Sequence, residues 1–233
     1  MKLFFTLLFL FPALAFAQGE SAGNGNEGGN GGDVVICRYG HRMERPILLD
    51  YFEKRRMPYL GNSNDAFEKV RFVLKKISAH DPIRARLYEE GLANFIAESF
   101  FIENTSLPDV RDEGWIPMHS RRRLARKCLK RQIVIQVWSP HFKENYQSWK
   151  DLRSKRYFID KILWDKLDSS NKAGLILHEL MVREGINLIG TRDTQNIRMM
   201  NRYWSSSTIE LDSTDEYEYK MNLLDFPPVN IAL

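Results

Sequence analysis

Two cysteines, Cys37 and Cys128, are all that the 233 residues contain. So low a count excludes the disulfide-dense scaffolds of small secreted domains and any zinc site built from a cysteine cluster. Long apolar runs are equally scarce. Past residue 17 no stretch approaches the roughly 20 apolar residues that cross a bilayer, so no transmembrane segment is expected in the mature protein. A strong excess of one charge is missing too: 34 basic against 30 acidic side chains give a formal +4, too little to demand a polyanionic partner. Histidine is sparse, with five residues and none after His178. The glycine-rich stretch before residue 33 lacks the Lys and Ser/Thr of a phosphate loop and precedes a strand rather than following one, which leaves nucleotide binding unsupported.

What is present begins at the first residue. Lys2, an apolar run over residues 3–11 broken only by Thr6, then Pro12 and Ala15-Phe16-Ala17 make up a secretory signal peptide over residues 1–17, with cleavage expected before Gln18. The mature protein is therefore expected to be secreted or periplasmic. In such a compartment Cys37 and Cys128 read as one disulfide bond closing a loop of about 90 residues, with two buried free thiols as the alternative. Residues 18–32 are rich in glycine and asparagine. They hold no apolar residue larger than alanine, a composition that cannot recover its ordering entropy and reads as a flexible leader.

A single folded α+β domain is expected over residues 33–204, helix-dominated with two or three short strands, followed by an acidic tail over 205–233. VVICRY (34–39) and IVIQVW (133–138) read as strands, and RYFIDKILW (156–164) as a strand running into a turn. Pro46 suits the first turn of a helix continuing through ILLDYFEKRR. A second helix starts at Asp65, with Phe67, Val70, Phe72, Val73, Leu74 and Ile77 giving it a broad buried face, and Asp81-Pro82 supplies the cap and first-turn proline of a third. Residues 169–189 form the strongest helix, capped at Ser169 or Ser170 and ended by Gly190. Asp193 begins a last helix through Trp204. The tail carries Glu210, Asp212, Asp215, Glu216 and Glu218, then LLDFPPVNIAL, which is extended if ordered.

The densest polar group lies in LILHELMVREGINLIG, residues 175–190. At 100° per residue, its apolar side chains surround nearly the whole circumference, the mark of a central, buried helix. His178 falls in an apolar arc. Glu179 and Arg183 stand four apart, carboxylate first, and can pair. Two readings stay open. One is internal architecture, a core histidine beside a Glu179–Arg183 pair. The other is an active-site patch with Glu179 as acid or base, His178 as base or metal ligand and Arg183 as partner, burial raising the carboxyl pKa toward a useful range.

Residues 158–182, FIDKILWDKLDSSNKAGLILHELMV, resemble the approach to the active helix of zincin-type metallopeptidases. The resemblance implies His178 as a zinc ligand and Glu179 as the general base that polarises a zinc-bound water. The family's second histidine stands where this chain has Val182, so zinc would need His41, His80, His119 or His141. A broader resemblance rests on GGNGGDVVIC, ILLDYFE, LW-x-x-L followed by KAGLILHELMVREG, and DTQNIRMMNRYW. Over most of residues 28–204 these look like secreted proteins of Bdellovibrio-like predatory bacteria. That likeness implies a Gram-negative cell with the periplasm or prey envelope as destination, and brings no residue roles.

RRRLARKCLKR, residues 121–131, packs seven basic side chains into eleven positions: Arg121, Arg122, Arg123, Arg126, Lys127, Lys130 and Arg131. No aromatic interleaves them, so no nucleic acid is expected as partner. An anionic envelope polymer or lipid surface is one possible partner; a solvated face, or docking of the acidic tail, is the other reading. The function expected from sequence is a structural or binding role at a cell envelope. The alternatives are an envelope-polymer hydrolase using Glu179 and a degenerate zincin-like metallopeptidase.

Overall fold

The computed structural model describes residues 28–30, 32–39, 42–52, 58–103, 107, 128–137, 155–189 and 194–229. The signal peptide, most of the leader, most of the arginine-rich cluster, His41, His119, His141 and Gly190 lie outside them. In chain order the elements are strands β1 (Gly28–Asn30), β2 (Asp33–Tyr39), β3 (Arg42–Met43) and β4 (Ile47–Leu48), and helices α1 (Leu49–Phe52), α2 (Ala66–Ser78) and α3 (Pro82–Asn94). Strands β5 (Ser99–Ile102), β6 (Cys128–Gln132), β7 (Val134–Val137) and β8 (Tyr157–Asp160) come next. The chain then forms helix α4 (Lys161–Lys166), helix α5 (Ser169–Glu184), a π-helical turn (Gly185–Ile189), helix α6 (Thr194–Trp204), a 3-10 turn (Thr208–Glu210) and helix α7 (Thr214–Leu223).

Two bent segments organise the sheets. β1 runs on into β2 and β6 into β7, and the pairs lie antiparallel, Gly28 opposite Val137 in one half and Cys37 opposite Cys128 in the other. The first halves belong to different sheets. One sheet has the order β1-β7-β8-β5, with only β8 and β5 parallel; the other centres on β2, which pairs with β3, β4 and β6. At the corner the Gly32 carbonyl accepts from the amides of Ile133 (3.0 Å) and Val134 (3.3 Å). A β-carbon on Gly32 would lie 2.1 Å from Leu175 Cδ1, so glycine is what lets the corner close onto α5.

Caps fix where the helices begin. Asp65 accepts from the Glu68 amide and Asp81 from the Arg84 amide, each at 2.9 Å, with Pro82 in the first turn of α3, as the sequence predicts. For α5 the cap is Asp168, which accepts from Asn171 N at 2.8 Å, rather than Ser169 or Ser170. Leu175, Ile176, Leu177 and Met181 on α5 are wholly buried, and α2, α3, α6, α7 and the sheets surround them in one core. The molecule is thus helix-dominated α+β, with more strands than two or three.

Three expectations change. The stretch after Pro46 is not helical at once: Ile47 and Leu48 pair with Val35 and Val34, and the helix starts at Leu49. A β-sheet edge offered by the β-branched pair won over helix propensity there. The leader does not stay apart from the fold, because Gly28–Asn30 pair with β7 and Gly32 is the corner. Nor is the chain beyond 204 a tail. Ile209, Tyr217, Met221, Leu224 and Phe226 are buried in the main core, and Ser213 and Glu216 close a capping box at the start of α7. The acids of this stretch mask an inward Tyr217/Met221 pair at helical spacing. Among the tail acids, Asp212 binds Lys220 and Tyr203 at 2.6 and 2.7 Å.

Cys37 and Cys128 are joined, cross-strand partners with Cα atoms 3.9 Å apart and a sequence separation of 91. Denatured, unreduced protein is expected to show no reactive thiol, and reduction to lower stability by about 2–5 kcal/mol. Two titratable thiols before reduction would contradict the bridge. No helix among the described residues is long and apolar enough to cross a membrane.

Candidate functional site

Neighbouring positions on α5 point a third of a turn apart, so His178 and Glu179 meet different walls of the core. His178 Nδ1 lies 2.9 Å from Asp50 Oδ2 on α1, and both side chains are almost entirely enclosed. Asn201, reaching from α6, donates to the same Asp50 oxygen at 2.6 Å and to the Gly174 carbonyl at 2.8 Å. One carboxylate therefore ties three helices together. Burial alone would raise the Asp50 pKa, but the His178 charge and the bonds from His178 and Asn201 outweigh it and hold the carboxyl below its usual range. Burial would lower His178; Asp50 reverses this and pushes the imidazole up to about 9. His178 is then an imidazolium at neutral pH, donating from Nδ1 to Asp50. Its Nε2 and Asp50 Oδ1 have no bonding partner among the described residues.

Glu179 faces the other way, toward the corner where the two sheets meet. Its Oε1 accepts from the Gly32 amide at 2.5 Å. Its Oε2 accepts from the Gln136 side-chain amide at 3.1 Å, and the same amide reaches the Glu179 carbonyl at 2.9 Å. Desolvation raises the Glu179 pKa, offset in part by the His178 charge and by the Gly32 and Gln136 bonds. The residue has no solvent-exposed surface. A carboxyl of raised pKa is suited to acid chemistry, but a substrate must touch it, and this one is closed in by strand and helix.

Arg183 belongs to neither group. Its Nη1 donates to Glu98 Oε2 at 3.0 Å in the turn after α3, with about a third of the side chain in solvent, so the Glu179–Arg183 pair does not form. Gly32 and Gln136 already hold the Glu179 carboxylate on the sheet side. The three candidate residues His178, Glu179 and Arg183 thus point into three separate environments.

A buried network at the end of α5 went unread in the sequence. Glu184 accepts from Arg84 Nε at 3.0 Å and from the Tyr88 hydroxyl at 2.6 Å. Arg84, itself without exposed surface, also donates to Asp81 at 2.8 Å and to the carbonyls of Phe226 (3.3 Å) and Pro227 (2.5 Å). Desolvation raises the Glu184 pKa against the opposing pull of Arg84 and Tyr88.

For zinc, the described donors near His178 do not form a ligand set. Position 182 holds valine, Asp50 occupies Nδ1, and no group of three His, Cys, Asp or Glu side chains converges among the described residues. His80 is engaged elsewhere, its Nε2 at 3.0 Å from the Ile209 carbonyl and its ring stacked on Tyr217. Of the basic cluster, Lys130 pairs with Asp33 at 2.9 Å and Arg131 is exposed on β6. Comparison with protein families, with curated proteins and with solved structures finds no match to this chain.

Proposed function

We propose that the protein is secreted or periplasmic and has a structural or binding role at a cell envelope, with His178 and Glu179 serving as internal architecture. The observation that carries this reading is the enclosure of Glu179, whose two oxygens are taken by Gly32 and Gln136 and whose surface is inaccessible. A buried polar group fully bonded to its own fold orients elements and excludes wrong packings rather than meeting a ligand. The signal-peptide pattern of residues 1–17 and the Cys37–Cys128 bridge support an extracytoplasmic setting. The basic residues of 121–131 are the proposed contact with anionic envelope polymer or lipid.

The test compares the mature, oxidised protein with Glu179→Gln. Glutamine can still accept from Gly32, but its own amide faces the Gln136 amide, so a cost of about 1–2 kcal/mol is expected in a chain that still folds. Neither form is expected to release fragments from peptidoglycan or peptides from denatured protein. Both are expected to co-sediment with isolated envelope, less so as salt rises past physiological strength. Hydrolysis by the wild type that disappears in Glu179→Gln would establish the hydrolase instead, and absence of sedimentation at low salt would remove the envelope role.

A further inference from the structure

A cavity of about 500 Å³ opens where the C-terminal half of α6, the turn at 205–208, α7 and the segment 58–59 come together. Small-molecule sites span roughly 300–1,000 Å³, so it is large enough to enclose an organic ligand. Its walls divide by chemistry. Tyr59, Met199 and Leu223 give it apolar surface, and each stays 39–64 % exposed, uncovered by the rest of the fold. Arg202 and Lys220 give it two cations, and no carboxylate is among its described lining residues.

Both cations are positioned by the fold. Lys220 Nζ is held by Asp212 at 2.6 Å and stands 5.2 Å over the Tyr203 ring. Arg202 Nη1 lies 3.5 Å from the carbonyl of Asp50, whose neighbour Tyr51 lines the cavity. A preplaced cation costs little ordering entropy when a ligand arrives, and charge-assisted bonds in a partly desolvated site are the strong ones.

We propose that this cavity binds a small organic anion with an apolar body, the charge meeting Arg202 and Lys220 and the body lying against Tyr59, Met199 and Leu223. The site supplies the ligand class for the envelope-binding role and rests on that reading only for where the ligand comes from.

Two dyes with the same ring system test it on the purified, mature, oxidised protein. 8-Anilinonaphthalene-1-sulfonate carries a sulfonate; N-phenyl-1-naphthylamine does not. The anionic dye is expected to bind saturably at one site, about tenfold or more tighter than the neutral one, the size expected of one charge-assisted contact. Ser207 lines the cavity and is exposed, so Ser207→Glu adds a carboxylate at its mouth without disturbing the core. It is expected to weaken the anionic dye about tenfold and to change the neutral dye by less than about twofold. Lys220→Gln is expected to act in the same direction, and near-ultraviolet circular dichroism checks that both variants keep the native fold. Absence of saturable binding, equal affinity for the two dyes, or indifference of the anionic dye to both substitutions would overturn the site. Because no envelope is present in this assay, dye binding without envelope sedimentation overturns the envelope role alone, and sedimentation without dye binding overturns the cavity alone.

Discussion

Arg84→Met is expected to lower the free energy of unfolding by about 3–5 kcal/mol, the range for breaking one side of a buried ion pair. The arginine is completely enclosed and uses every side of its guanidinium: Nε on Glu184, Nη1 on Asp81, Nη2 on the carbonyls of Phe226 and Pro227. Methionine fills much of the volume but leaves Glu184 buried beside Tyr88 with its charge uncompensated, and two carbonyls without a donor. Arg84→Lys is expected to lose most of the same stability, because a single ammonium cannot span a fork that reaches four acceptors. The double variant Arg84→Met/Glu184→Gln is expected to recover part of the loss, since it removes both charges together. Urea denaturation of the three variants measures this. A double variant no more stable than Arg84→Met would show that the ion pair is not where the cost lies.

The Asp50–His178 pair is expected to make stability fall as pH rises above neutrality. His178 titrates near 9 in the folded protein and near its ordinary value of about 6.5 when unfolded, so its contribution is complete below about 6.5 and is lost as pH climbs through about 9. Asp50 works from the other side. Its lowered carboxyl contributes above its unfolded value, near 4, and loses that contribution as pH falls through the folded one. The pair therefore contributes most between about pH 4 and 6.5, and on the order of a few kcal/mol is expected to disappear by pH 9–10. Asp50 from α1 faces the imidazole directly; Glu179, turned away on α5, favours its protonation by charge alone, and Arg198 from α6 opposes it. Asp50→Asn is expected to destabilise by about 3–5 kcal/mol at pH 6 and to flatten the alkaline limb. The check is the urea midpoint of wild type and variant measured from pH 5 to 10. An alkaline limb of unchanged slope in Asp50→Asn would assign the dependence to another group.

Much of the fold could be read from periodicity and caps. Asp65, Asp81 and Pro82 mark their helices because capping is a local interaction between residues three apart, and the apolar circumference of α5 marks it as central for the same reason. Partners far apart in sequence were not readable. Asp50 looks like a single polar residue inside the apolar stretch ILLDYF, and Asn201 like one more polar residue among the arginines of IRMMNRYW; only the packing of α1, α5 and α6 brings Asp50 to His178 across 128 residues and Asn201 to Asp50 across 151. A lone carboxylate in such a stretch is itself a sign of a buried partner, which the Asp50 position shows in retrospect. Gly32 was hidden by its company, since the glycines that precede it suggest freedom while this one is buried against Leu175 and Glu179. Ser213-Thr214-Asp215-Glu216 carried a legible capping-box pattern for α7, masked by the acidity of its surroundings.

The grip of Arg84 on Phe226 and Pro227 also bears on the order in which the chain can finish folding. α3 and α5 can pack as soon as both exist, yet the guanidinium remains short of two acceptors until residues 226 and 227 arrive. Tyr217, Met221 and Phe226 close over the same core only then. A chain made N-terminus first thus lacks a closing piece of its core until α7 and residues 226 and 227 have emerged. Incompleteness of that kind leaves the core of a nascent chain open, and lets Arg84 lock only when the segment after α7 reaches it.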